Sequence, residues 1–157
     1  MDQLVKAWAR AAAGGVEGRS IWAVWPGVFE LKLVYNEGIA FGMLQGIGLL
    51  LTPVALLIVC FAAWYSFTRP KEPAVVHVTA ALLVAGALGN LIDRLRLGKV
   101  TDMFWIRAIN FPVFNVADVC ITIAGTLMVV GALVEAFRPK RTSVGPSDDA
   151  TTPTGPT

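Results

Sequence analysis

Three stretches of this chain run without a charged side chain for about the thickness of a bilayer, and nothing else in the sequence constrains the fold as much. Ile47 to Phe67 is 21 residues free of Asp, Glu, Lys and Arg, and Ala74 to Ile92 is 19, whereas about 20 apolar residues cross the hydrocarbon. The third run, Val119 to Val134, has only 16. It is preceded by the uncharged "AINFPVFNVA", and because Pro112 is tolerated in a first helical turn, the span is expected to begin near it. With 55% of residues hydrophobic, 15% charged and a mean hydropathy of +0.64, the chain carries more apolar surface than a soluble core of this size needs. The expected fold class is therefore an all-α transmembrane helix bundle, with three spans at about 47–67, 74–93 and 113–137.

Ahead of the spans the pattern changes period. In "FELKLVYN", Phe29, Leu31, Leu33 and Tyr35 alternate with Glu30, Lys32, Val34 and Asn36, the period of two that marks a half-buried strand. The aromatic "WAVWPGVF" just upstream suits the headgroup zone. Residues 1–46 are thus expected to be a β-rich segment on the membrane surface, and 1–141 to be one integral membrane domain. The remaining 142–157, rich in Thr, Pro, Ser, Gly and Asp, bury too little to offset chain entropy and are expected to be a disordered tail.

Several function classes drop out on composition. A net charge of +2, spread along the chain, lacks the basic stripe that nucleic acid requires. Cys60 and Cys120 sit far apart inside apolar runs and read as packing residues, with neither metal-ligand nor disulfide spacing. His77, the sole histidine, has no evident metal or triad partners and reads as a helix-end side chain.

Consecutive spans alternate in direction, so the start of the first, the end of the second and the start of the third share one side. That side receives "NEGIAF" (36–41), "GNLIDRLRLGKVTDMF" (89–104) and "FNVAD" (114–118), while the other receives only "TRPKEP" and "RPKR". Asn90 and Arg94 are four apart and Asn115 and Asp118 three apart, so each pair shares a helix face. Gly86 and Gly89 would let a neighbouring helix approach closely. Asp102, in the re-entry loop among Val100, Met103, Phe104 and Trp105, would meet Asp118 at the membrane boundary. Two such carboxylates share a proton, one acting as base on water and the other as acid toward a carbonyl, which is peptide hydrolysis without a metal, cofactor or covalent nucleophile. Each element also has a plainer reading. Asp118 alone would be a helix cap, Asp93-Arg94 a local helix-end pair, and Asn36-Glu37-Gly38 a turn.

In their order and gaps, "NEGIAF", "GALGNLIDR", "VTDMF" and "FNVAD" resemble the lipoprotein signal peptidases, the type II signal peptidases of bacteria, over residues 1 to 137. The resemblance implies a four-helix membrane bundle with a small extracytoplasmic β-cradle in the bacterial inner membrane. It implies an aspartyl dyad at Asp102 and Asp118 near the outer face, with Asn36, Gly38, Phe41, Asn90, Arg94 and Asn115 supporting substrate and dyad. The implied reaction removes the signal peptide of a prolipoprotein just before a diacylglyceryl-cysteine. The implied partners are that substrate and membrane lipid, with a monomeric enzyme. "DQLVK" (2–6) resembles the end of the family's first span, so that helix is expected to be missing from this chain. Two departures are mild: Ala85 stands for a glycine and Met103 for a phenylalanine. The other readings are a metal-dependent transferase using Asp93, Asp102 and Asp118, and a transport or assembly subunit with a polar helix-end cluster.

Overall fold

The structure is a computed structural model that describes residues 1–38 and 52–138. Phe41, the first residues of the 47–67 span and the 142–157 tail lie outside the described residues. In chain order the elements are helix α1 (Asp2–Ala12), strands β1 (Ser20–Trp25) and β2 (Phe29–Asn36), helices α2 (Thr52–Thr68) and α3 (Ala74–Leu97), strand β3 (Val100–Ile106) and helix α4 (Val116–Ala136). The chain is mostly helical. α3 and α4 are each long and apolar enough to cross a membrane, and the described part of α2 is a shorter apolar helix of 17 residues.

α3 packs against both α2 and α4. Its contact with α4 is close because Gly86 and Gly89 carry no side chain. A Cβ on Gly86 would lie 2.5 Å from the Ala117 carbonyl oxygen, and one on Gly89 would lie 2.9 Å from the Ala117 Cβ, so the spacing of small residues does what the sequence anticipated. Outward from these helices, Phe61, Trp64, Phe67, Val129 and Leu133 are exposed, an apolar surface suited to lipid rather than water. His77 lies in the first turn of α3, where its Nδ1 is 2.8 Å from Ser66 Oγ.

Residues 1–46 depart from the β-rich expectation at their start, where α1 is a helix. It is inverted relative to a helix of a soluble protein. Leu4 and Trp8 face outward, while Lys6, Ala9 and Ala13 are buried. The expected strand is present as β2, with Leu31 and Leu33 buried. Glu30 is buried too, because Arg107 Nη1 reaches its Oε1 at 2.7 Å.

The sheet has the antiparallel order β1-β2-β3. Its third strand corrects the reading of Asp102 as a loop residue, since "VTDMFWI" pairs with β2 from Phe29↔Ile106 to Asn36↔Val100. Two helix ends also differ from expectation. α3 continues to Leu97 and stops where Gly98, at φ 73°, takes the left-handed conformation and donates its N–H to the Arg94 carbonyl. α4 begins at Val116 rather than near Pro112, because Phe114 is still extended and bridged to Phe104 of β3.

Candidate active site

The sheet and the helix ends meet around a cavity of about 830 Å³. Asn36, Asn90, Arg94, Asp102 and Asp118 all line it, against a mostly apolar remainder that includes Val34, Val54, Phe114 and Ile121. Five of the sequence-predicted residues therefore converge on one space, although they come from four elements.

β3 delivers Asp102. Because Val34 pairs with Asp102 and Asn36 with Val100, Asn36 and Asp102 are diagonal neighbours on one face of the sheet. The Asn36 Oδ1 accepts the Gly38 N–H at 2.9 Å, and its side chain hydrogen-bonds Asp102. The chain then returns along β3. Phe104 N donates to Phe114 O at 2.9 Å, Phe114 N to Phe104 O at 3.0 Å, and Met103 N to Phe114 O at 3.0 Å. This strap sets Asn115 down beside Asp102 at the mouth of α4.

Asn115, fully buried, is the N-cap of α4. Its Oδ1 accepts the Asp118 N–H at 3.0 Å, and the Asp118 Oδ2 accepts the Asn115 N–H at 3.1 Å, which closes a capping box. The plainer reading of Asp118 as part of a helix cap is thus realised, and it coexists with a place in the cavity. The Asn115 Nδ2, turned away from the cap, donates to Asp102 Oδ1 at 2.6 Å and to Asn90 Oδ1 at 3.1 Å. Asn90 in turn donates its Nδ2 to Asp118 Oδ1 at 2.8 Å. Two asparagines therefore bridge the two aspartates. Arg94, one turn after Asn90, donates to the Gly38 carbonyl at 3.0 Å and so holds the 36–38 turn at the rim.

Asp102 is 2% exposed. Burial, and then the nearby charge of Asp118, push its pKa up to about 7, against the smaller opposing pulls of Asn115, Asn36 and Lys6. A carboxyl group so placed shares its population between the protonated and ionised forms near neutral pH, beside a second carboxylate and an apolar cavity.

Asp93 corrects the reading of a local pair with Arg94. It is buried and points the other way, where its Oδ2 accepts the Thr101 N–H at 2.8 Å and lies 3.6 Å from Lys6 Nζ, with Arg10 Nη1 at 3.8 Å from Oδ1. Among the described residues no three His, Cys, Asp or Glu side chains gather to hold a metal ion, and Asp93 is engaged by cations of α1. Sequence reasoning missed Lys6, Asp2, Gln3 and Arg10 as neighbours of the site. Their signal was a polar stripe at helical spacing opposite Leu4 and Trp8.

The profile of a family described as signal peptidase (SPase) II matches residues 1–134. The lipoprotein signal peptidase of Lactococcus lactis subsp. lactis is 34% identical over 139 residues, covering 85% of this chain and 87% of the relative. That of Gloeobacter violaceus is 38% identical over 133 residues (85% and 75%), and that of Streptococcus pneumoniae 36% over 135 (86% and 86%). A solved structure described as a bacterial membrane enzyme obtained by the in meso method superposes with a TM-score of 0.78 at 28% identity, over 92% of this chain and 87% of the other. A profile match spanning the cavity and all its polar residues, together with relatives matched over most of their length, means that the chain belongs to the signal peptidase II family.

Proposed function

We propose that Asp102 and Asp118 are the catalytic pair with which this aspartic peptidase removes signal peptides from prolipoproteins. The observation that carries the assignment is the asparagine-bridged pair of aspartates on the wall of an apolar cavity. With its pKa raised to about 7, Asp102 is protonated in a large fraction of molecules near neutral pH, and that form donates its proton to the scissile carbonyl oxygen. Asp118, whose two oxygens each accept an N–H, takes a proton from the attacking water. The tetrahedral diol then collapses as Asp118 passes its proton to the leaving amine and a diol hydroxyl returns one to Asp102, so the pair ends with the proton it began with. No metal or cofactor enters these steps.

Asn90 and Asn115 hold the pair, while Asn36, Gly38 and Arg94 shape the rim where substrate backbone enters; Phe41 belongs to the same motif. The apolar remainder of the cavity suits a signal-peptide segment and the diacylglyceryl chains on the cysteine that follows the cleaved bond. α2, α3 and α4 are read as three membrane spans of a family bundle of four, in the bacterial inner membrane, with the cavity near the outer face and membrane lipid around a monomer. Single cysteines at Glu37 and Lys99 should then react with an impermeant thiol reagent from outside, and one at Lys71 should not.

The direct test is incubation of the purified protein with a diacylglyceryl-modified prolipoprotein. Release of the signal peptide, undiminished by chelator, is expected. Failure to cleave, or cleavage of unmodified substrate at the same rate, would refute the reading.

A further inference from the structure

No step described above uses Lys6, although its side chain is 0% exposed and lies one residue from the pair. Its ammonium donates to Asn90 Oδ1 at 2.8 Å and to the Gly89 carbonyl at 3.3 Å, with Asp2 at 3.1 Å and Asp93 at 3.6 Å. An ammonium group only donates. The face of the Asn90 amide that meets it must therefore be the oxygen, which leaves the nitrogen facing Asp118.

We propose that Lys6 is a positioning residue for catalysis, fixing the Asn90 amide so that its N–H is aimed at Asp118. Asn115 also donates to Asn90 Oδ1, but at 3.1 Å and from the same Nδ2 that makes the shorter bond of 2.6 Å to Asp102. Without Lys6, the Asn90 oxygen keeps only this shared, longer bond, and a flipped amide would set its oxygen against the Asp118 carboxylate. Lys6 also supplies positive charge near Asp102 and holds down its affinity for a proton. The other charged or titratable groups around Asp102 are Asp118 of α4, Arg94 and Asp93 of α3, Tyr35 of β2, and Asp2 and Arg10 of α1.

The inference rests on the catalytic reading of the aspartates, so parent enzyme and Asp102→Asn are measured alongside. Inactive parent enzyme or an undiminished Asp102→Asn variant would sink that reading. A normal result for both leaves the Lys6 test to stand on its own. Lys6→Met should lower kcat by roughly 10- to 100-fold with KM within about twofold, and should move the basic limb of the kcat–pH profile to higher pH, because loss of a nearby cation favours the protonated carboxyl. In an Asn90→Ala background the same substitution should cost less than about threefold, since Lys6 acts through that amide. Arg10→Gln, which loosens Asp93 and Thr101 without touching Asn90, should lower Tm but leave kcat and the pH profile in place.

Independent, multiplying effects of Lys6→Met and Asn90→Ala would overturn the proposal, as would an Arg10→Gln variant that reproduces the Lys6→Met profile. If Lys6→Met does not fold, Lys6→Gln keeps an N–H donor without the charge. It should hold kcat within about threefold while the basic limb still moves upward. An unmoved limb, or a larger fall in kcat, would overturn the proposal equally.

Discussion

Two pairs of aspartates lie within one protein neighbourhood, and they are treated in opposite ways. Asp2 and Asp93 face Lys6 and Arg10, with nitrogen–oxygen distances of 3.1 to 3.8 Å. Asp102 and Asp118 face amides instead, and among the described residues neither forms an ion pair. A buried carboxylate paired with cations fastens its elements together, whereas Asp102, with neutral donors and a second acid nearby, has its affinity for a proton raised. Position in the fold thus separates ion-paired from amide-bound carboxylates that look alike in the sequence.

The largest effect that can break this contrast is on turnover. Asp102→Asn and Asp118→Asn should each reduce cleavage by about three orders of magnitude or more, and the double variant should be little worse, because the groups act as a unit. Single-turnover assays on lipidated substrate, with thermal melts in detergent, measure this. A half-active Asp118→Asn would return that residue to its capping box alone.

Asp93→Asn should do the reverse. It leaves the buried Lys6 and the partly exposed Arg10 short of a counter-charge, at about 3 kcal/mol of stability, while the protein that remains folded should cleave within about tenfold of the parent. Denaturant titration against specific activity separates the two, and a loss of turnover without a loss of stability would erase the distinction between the pairs.

The pH dependence of stability sharpens it further. Asp102 rises from an ordinary 3.8 to about 7 on folding, so below the lower value it is protonated in both states and costs nothing. Between the two values the unfolded chain gives up the proton that the folded one keeps, and stability falls as pH rises. The full shift would set a ceiling of about 4 kcal/mol, and relaxation around the site should leave roughly 2. Melting temperature measured from pH 4 to 7 should decline in the parent and be flatter in Asp102→Asn; equal slopes would remove the neutral-acid assignment.

The smallest effect concerns a pair away from both clusters. Arg107 is 53% exposed where it meets Glu30, so Arg107→Ala should cost no more than about 1 kcal/mol and leave turnover unchanged. A larger loss in a melt would mean that the sheet depends on this contact more than its exposure allows.

Much of this arrangement was legible in the sequence because it is periodic. The uncharged runs announced the helices, the alternation of "FELKLVYN" announced β2, and the i,i+3 and i,i+4 spacings placed Asn90, Arg94, Asn115 and Asp118 on usable faces. β3 escaped because Asp102 interrupts its apolar side and its pairing with β2 is made over a long sequence separation. α1 escaped for a different reason. Residues 1–46 read as β-rich in the sequence, and only packing against α3, α4 and β3 reveals a helix here whose Gln3 and Lys6 point inward. Asp93 reads as pairing with Arg94, since its cationic partners are more than 80 positions away in the chain.

The strap between Phe104 and Phe114 has a mechanical consequence. A bilayer that thickens or thins makes spanning helices tilt, and a catalytic distance set only by helix packing would change with the host lipid. Here backbone hydrogen bonds fasten the segment carrying Asn115 to the strand carrying Asp102, and the capping box fastens Asp118 to Asn115. Tilting α4 therefore carries both carboxylates as one rigid plate. The spacing of the two aspartates is insulated from membrane thickness, and what the lipid can alter is the depth at which the plate rides.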